Sequence, residues 1–444
     1  MFKYLLILTL MISCATRYEI VEEKRTPESV TIDGRSVINT LSDYFFGHNY
    51  WMWAPTWGNQ IMGTESLISD LNLSLLRFGG IQVDLGHPDS VTEARIAQYI
   101  EYCEAVGAKP VIQMQIARYT TTEERVENAV KMFNYFRTLY PVRYVAIGNE
   151  PDLYFDNLAT NPEYNAQYLR DYTIDDYIRD FNAVASELKS IDPDIKIIGL
   201  DLSHRYDQWI PPFVAECRDN VDIISVHYYP FHAAQCTYNV VHDHAPAINT
   251  FYSDIRTLID QNAGDREIPL MIGETNISWD GDPANSTRDA SPGTFNAALW
   301  FADYVGVSSA QDNLLSIMPW SISEGWTLGF IDASRRVKPV YYVYKMFSNH
   351  TKEHLIHSEN VNQYLRVYAF KDDLGGVSVF LINWDRNASY DLDLSFTDVL
   401  DDSSVTHVVP PHSVSVINLS SGLEHTEIIE YRSDNKEDGP VLNP

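Results

Sequence analysis

The feature that most constrains this chain is an alternation of two kinds of segment. Between about residues 44 and 340, eight short apolar runs are separated by longer stretches whose apolar residues recur at three and four. The short runs are 45–49, 73–78, 110–115, 144–147, 195–200, 223–226, 270–272 and 314–319. They suit strands buried on both faces, which read as continuous apolar runs and not as alternating ones. The helical period is carried by 95–106, 122–139, 174–191, 247–261 and 294–305. Parallel strands need helical crossovers, and eight such units in roughly 300 residues match a (β/α)8 TIM barrel, an α/β fold, in count and size. A doubly wound open sheet would need a phosphate-cradling glycine loop after its first strand, and Phe46-Gly47-His48-Asn49 offers none.

After Lys345 the helical period ends. Segments 361–370, 376–383, 389–395 and 404–418 alternate or are β-branched, and they are broken by turn signals such as Asp372-Asp373 and Asp385-Arg386-Asn387. This predicts a C-terminal β-sandwich over 346–431, after a barrel over 44–345. Residues 14–43 precede the barrel and are expected to add a strand to the sandwich, and 432–444 reads as a frayed polar tail.

At the N-terminus Lys3 is followed by the apolar run 4–12, too short to span a bilayer. Residues 1–13 read as a secretory signal peptide. Its end, Met11-Ile12-Ser13-Cys14, resembles a bacterial lipobox, which implies Cys14 as a lipidated first residue. The expected location is the cell envelope, anchored by lipid to a membrane, with the outer membrane as the expected one. Of the remaining cysteines, Cys217 and Cys236 flank one predicted strand and are the one pair considered for a disulfide, while Cys103 reads as a small core residue. The formal charge of −29 disfavours nucleic acid and anionic lipid as partners.

Two glutamates carry the chemistry. Glu150 lies in Gly148-Asn149-Glu150-Pro151 and Glu274 in Gly273-Glu274-Thr275-Asn276, each at the exit of an apolar strand. An acidic group there is costly unless it is paired or working. Counting strands puts them at the ends of the fourth and seventh, on the barrel face where catalytic groups collect. Paired carboxyls are the equipment of glycoside hydrolysis.

With these positions the chain resembles clan A of the retaining glycoside hydrolases, and within it the barrel-plus-sandwich families of arabinofuranosidases, β-xylosidases, β-glucuronidases and marine galactanases. The resemblance spans roughly residues 30–420. It implies Glu150 as acid/base, Glu274 as nucleophile and Asn149 as a contact to the sugar 2-hydroxyl. Arg77, in Leu76-Arg77-Phe78-Gly79-Gly80, would lie beside the nucleophile. His227 and Tyr229 share one face of strand six and would line the scission point, Trp320 would floor a sugar ring, and His48 would bind a hydroxyl. Trp51, Trp53, Trp279 and Trp326 fall in loops on the same face. No cofactor or metal is implied, and the partner is a carbohydrate. His227, His232, His242 and His244 lack a zinc-type partner motif, so a metal hydrolase is the weaker reading, and those histidines suit a polar substrate-facing loop. The rival from another class is a catalytically silent glycan-binding lipoprotein, which should lack one of the two glutamates. Sugar, linkage and oligomeric state stay open.

Overall fold

The computed structural model describes residues 28–50, 61–86, 91–324, 327–359, 361–421 and 426–443. Eight parallel strands pair in sequence order: β2 (Gly47–Tyr50), β3 (Leu75–Phe78), β4 (Lys109–Met114), β5 (Tyr144–Ile147), β6 (Lys196–Leu202), β7 (Ile223–Tyr228), β8 (Leu270–Thr275) and β9 (Leu314–Pro319). A bridge between Phe46 and Ile317 brings the last strand back beside the first, and the Ile317 N–H donates to the Phe45 carbonyl at 2.9 Å. The result is a (β/α)8 barrel. Every residue of β3, β5, β7 and β8 is buried, which explains why they read as unbroken apolar runs. Leu75, Val111, Ala146, Ile198, Met271 and Met318 fill the barrel interior. The interior is therefore packed and not a pore, and in barrels of this kind ligands bind at the C-terminal ends of the strands.

The helices begin where their caps say they should. Thr121 with Glu124 and Thr173 with Asp176 form reciprocal capping boxes at Thr122–Leu139 and Ile174–Ile191. Two further helices lack a legible period. Tyr206–Cys217 contains Pro211 and Pro212, which read as breakers but here lie inside a half-buried helix. Pro339–His350 runs past the expected boundary at 345, and its Tyr344 hydroxyl donates to the Gly47 carbonyl at 2.8 Å, tying the last helix to the first barrel strand.

The second domain is a β-sandwich built on one mixed sheet. Its strands are β1 (Glu28–Thr40), β10 (His354–Ser358), β11 (Leu365–Lys371), β12 (Val377–Asn383), β13 (Tyr390–Thr397), β14 (Ser404–Val409), β15 (Ser413–Leu419), β16 (Thr426–Arg432) and β17 (Val441–Asn443). They pair in the order β14-β13-β1-β10-β11-β12-β15-β16-β17, with β1 between β10 and β13. One set of side chains, including Val30, Ile32, Val367, Val379, Leu392 and Ile417, makes a core of its own. The opposite face of β12 and β15, with Phe380, Ile382, Val414 and Val416, joins the core of the barrel helices. Phe347 stacks on Phe380 at 4.1 Å, and the Trp384 indole donates to buried Asp303 at 2.9 Å. Barrel and sandwich thus share a core.

One expectation is corrected and one open question is answered. The tail is not frayed: a turn after Arg432 returns the chain so that Leu442 pairs with Ile429, and β17 becomes an edge strand. Cys217 and Cys236 are not bridged; each is a buried free thiol, as is Cys103. Cys217 ends the helix before β7 and Cys236 follows β7, so they lie at opposite ends of a strand about 20 Å long. A disulfide needs Cα atoms within roughly 7 Å. No helix among the described residues is long and apolar enough to cross a membrane.

Candidate active site

A fully buried arginine organises the strand ends. The Arg77 Nη1 donates to Glu274 Oε1 at 2.8 Å and to Asn49 Oδ1 at 2.9 Å. Its Nη2 donates to Asn149 Oδ1 at 2.8 Å, to Asp201 Oδ2 at 3.0 Å and to Gln113 Oε1 at 3.2 Å. One guanidinium so joins residues of β2, β3, β4, β6 and β8 and Asn149 just after β5. The two glycines after it are required by close approach. A Cβ on Gly79 would stand 2.6 Å from the Arg77 guanidinium carbon and from Gln113 Oε1. One on Gly80, which has φ +101°, would stand 2.9 Å from the Trp320 ring.

Around the arginine the two glutamates converge. Glu150, with φ 47°, sits in the left-handed region, held there by its N–H donating to the Asp201 carbonyl at 2.9 Å. His227 Nδ1 lies 2.9 Å from Glu150 Oε1 and 3.6 Å from Glu274 Oε2. The Tyr229 hydroxyl donates to the same Glu274 oxygen at 2.8 Å. One atom each of Glu150, His227 and Glu274 lie within 4.8 Å of one another. Side-chain exposure is 18% for Glu150 against 8% for Glu274 and 2% for Asp201, so Glu150 is the carboxyl nearest the solvent mouth.

Their protonation differs for physical reasons. Burial raises the Glu150 pKa; the hydrogen bond and charge of His227 oppose this, and the negative charge of Glu274 adds to it. Burial alone would lower the His227 pKa, but the surrounding carboxylates of Glu274, Asp201 and Glu150 carry it to about 10, so the ring is an imidazolium at neutral pH. Burial would likewise raise Asp201, but the Arg77 charge overrides it and holds that carboxyl below the usual range. Tyr229 stays a phenol, pushed upward by burial and by the charge of Glu274. With Glu150 protonated, two cations (Arg77, His227) balance two anions (Glu274, Asp201).

The structure places Asn149 under the mouth, with its Oδ1 taken by Arg77 and its N–H donating to Asp84 Oδ2 at 2.9 Å. Trp320 follows β9 and is half-buried; its indole N–H donates to Glu324 Oε2 at 3.1 Å. His48 is not at the site. It is completely buried on the outer face of β2, edge-on to Phe330 at 4.5 Å, and burial lowers its pKa to about 3. The side chain that β2 sends inward is Asn49, which also donates to the Gly273 carbonyl at 2.8 Å. The histidines after strand six do not form a substrate-facing loop. His244 accepts the Trp300 indole N–H at 3.1 Å, and His242 reaches the Gln363 carbonyl of the sandwich side at 2.9 Å. His232 pairs with Asp280 at 2.9 Å beside Trp279, which is exposed. Trp51, Trp53, Trp326 and Cys14 lie outside the described residues.

Four residues escaped the sequence reading. Asp201 ends β6 at a bulge and obeys the same rule that singled out the glutamates, an acid at the exit of an apolar strand. Asp84 is buried, and burial raises its pKa to about 6. It accepts the N–H groups of Ile116 at 2.6 Å and Ala117 at 3.1 Å as well as that of Asn149, and also the Tyr154 hydroxyl, so it staples the ends of β4 and β5. Gln113 is polar inside an apolar run. Glu324 is a third buried carboxyl, holding the Trp320 indole and the Leu328 N–H, the latter at 2.8 Å; burial raises its pKa. Glu150, His227 and Glu274 are, among the described residues, the one group spaced to hold a metal ion. The Arg77 and His227 charges already neutralise that space, so the donor set suits carboxyl chemistry better than a cation.

A family model described as "Glycosyl hydrolases family 39" matches residues 154–385, just over half of the chain. The match contains Glu274 and begins four residues after Glu150. No curated protein matches the chain in sequence. Solved structures share its fold. The α-L-arabinofuranosidase of Thermotoga maritima is 15% identical with a TM-score of 0.68, covering 91% of this chain and 97% of its own. A family 44 xyloglucanase of Paenibacillus polymyxa is 11% identical with a TM-score of 0.65, covering 89% and 100%. A monomeric β-xylosidase of Caulobacter crescentus is 15% identical with a TM-score of 0.60, covering 84% of each chain.

The charge arrangement predicts a measurable coupling. Glu150 titrates above the ordinary glutamate value because it is buried and faces Glu274. In Glu274→Gln one raising influence is gone, so carbon-13 NMR of labelled glutamate should find Glu150 titrating lower than in wild type. An unchanged or higher midpoint contradicts the coupling.

Proposed function

We propose that this chain, which belongs to glycosyl hydrolases family 39 and is a retaining glycosidase of clan A, cleaves β-glycosidic bonds of an extracellular poly- or oligosaccharide. The observation that carries the reading is the close approach of Glu150 and Glu274, with facing atoms within 4.8 Å, at the ends of barrel strands four and seven. Retaining enzymes hold their carboxyls about 5–5.5 Å apart, whereas inverting enzymes leave roughly 6.5–9.5 Å for a water.

The roles follow from the environments. Glu274, held by Arg77 on one oxygen and by Tyr229 on the other, attacks the anomeric carbon. Glu150, its pKa raised, gives its proton to the leaving oxygen as the glycosidic bond breaks. In the covalent intermediate Glu274 is an ester and has lost its charge, so the Glu150 pKa falls and its carboxylate becomes a base. A water then gives its proton to Glu150 while its oxygen attacks the anomeric carbon, and Glu274 leaves as carboxylate. Asn149, oriented by Arg77, meets the sugar 2-hydroxyl, a contact that strengthens in the oxocarbenium-like transition state. Trp320 offers its face to the ring.

The assays that follow from this reading use xylosides, arabinofuranosides, xyloglucan and galactans of the agar and porphyran type. The last are included because an acidic, secreted, lipid-anchored chain suits breakdown of an external marine polymer. Glu150→Gln should lower kcat about 10²–10⁴-fold on substrates with poor leaving groups. Glu274→Gly should be inactive until azide is added, and the glycosyl azide formed should have inverted configuration. Near-normal turnover by Glu150→Gln on a poor leaving group would remove the acid/base assignment.

We also propose export through residues 1–13 and lipid attachment at Cys14, from the lysine, short apolar run and Ser13-Cys14 junction. Labelled palmitate should enter the wild-type chain in a bacterial host and be lost in Cys14→Ala. Equal labelling of both would count against Cys14.

A further inference from the structure

We infer that the sugar seated at the scission point is uncharged, so that the enzyme turns over neutral glycosides and rejects uronic acids and sulfated sugars. This rests on the glycosidase reading above and goes further, to the class of sugar. A site that takes an anionic sugar must meet its carboxylate or sulfate with a cation or several uncommitted donors. Here each cation set against the site's carboxylates is already engaged.

Arg77 is fully buried and directs its two terminal nitrogens at five acceptors, two of them carboxylates. His227, fully buried, lies between Glu150 and Glu274, with Asp201 at 3.8 Å on its other side. Lys338 donates to the Thr327 carbonyl at 2.7 Å and faces Glu324. Further along the rim, Arg205 pairs with Asp156 at 2.5 Å and lies 4.4 Å over the Phe155 ring. Arg118 donates to the carbonyls of Leu85 and Gly86.

The sequence adds an independent constraint. The segments after barrel strands one, two and six, residues 51–64, 79–92 and 229–244, contain no lysine or arginine. Neither do residues 325–326. Parts of these segments lie outside the described residues, but their composition leaves them no lysine or arginine to offer.

Acidic groups stand on the other side of the balance. Glu150 and Glu274 face the scission point, and Glu324 holds the indole of Trp320. Burial and the negative charges of Glu274, Glu150 and Glu324 push the pKa of the Tyr229 hydroxyl upward, and the hydroxyl donates to Glu274 at 2.8 Å. Sugar hydroxyls can donate to such acceptors, and an apolar ring face can lie on Trp320. A further negative charge beside these carboxyls would meet repulsion, and Arg77 and His227, the cations that face Glu150 and Glu274, are already committed to them, a repulsive element of the kind that sets specificity. The net charge of −29 extends the same preference to the approach of a polyanion.

The test compares matched substrates: nitrophenyl β-xyloside, β-galactoside and β-glucoside against β-glucuronide, and agarose against porphyran, with wild type beside Glu274→Gln. At least one neutral member should exceed every anionic one by about 100-fold in kcat/KM, with activity lost in Glu274→Gln. A glucuronide or porphyran cleaved as well as the best neutral substrate, and silenced by Glu274→Gln, overturns the neutral-sugar inference and leaves the glycosidase reading intact. If wild type cleaves none of them, affinity electrophoresis of Glu150→Gln on the same polymers decides. Retardation by agarose alone supports the inference, retardation by porphyran overturns it, and retardation by neither overturns both readings.

Discussion

The buried guanidinium of Arg77 is the interaction on which the rest of the site depends. It is the point where six barrel strands, or the residues that end them, are fixed relative to one another. A buried charge is tolerable only when it is paired and hydrogen-bonded, and breaking such a pair typically costs about 3–5 kcal/mol. The five acceptors meet that requirement, and in doing so they orient Glu274 and Asn149. The same charge lowers Asp201, and Asp201 in turn helps keep His227 protonated. The environment of each carboxyl is therefore set by neighbours that are themselves fixed by one cation.

That fixed cluster gives two glutamates of one chain different environments, as the opposite roles proposed for them need. Glu274 is flanked by a guanidinium and a phenol that donate to it, while Glu150 sits nearer solvent with a raised pKa. The pair is coupled, so neutralising one changes the other, which is what the proposed change of Glu150 from acid to base requires. Behind the cluster the barrel is held by its own layered interior and by a sandwich that shares its core through Phe347, Phe380 and Trp384. A site on strand ends backed by so continuous a core has little freedom to spread.

Much of this was legible before any coordinates. The eight apolar runs announced the barrel because strands buried on both faces cannot alternate. Glu150 and Glu274 announced themselves because an acid at a buried strand's end needs a reason. What stayed hidden depends on direction and on distance in space. His48 and Asn49 are adjacent, and only the register of β2 decides which faces the barrel axis; the structure turns Asn49 inward and His48 onto Phe330. Asp201 sits at a bulge, where the strand's alternation is broken. Glu324 follows the last barrel strand in a loop with no strand-end pattern. Pro211 and Pro212 masked a helix, and the state of Cys217 and Cys236 stayed open because the strand predicted between them does not by itself say how the chain returns after it.

Glu274 is proposed to form the covalent bond to the sugar. The most direct test is to incubate the enzyme with a 2-deoxy-2-fluoro glycosyl fluoride of a neutral sugar that it turns over, then map the adduct by mass spectrometry of the digest. One added fluoroglycosyl group is expected on the peptide containing Glu274, absent in Glu274→Gln and slow to release in water. A label on Glu150, or products of inverted configuration with no adduct at all, would contradict it.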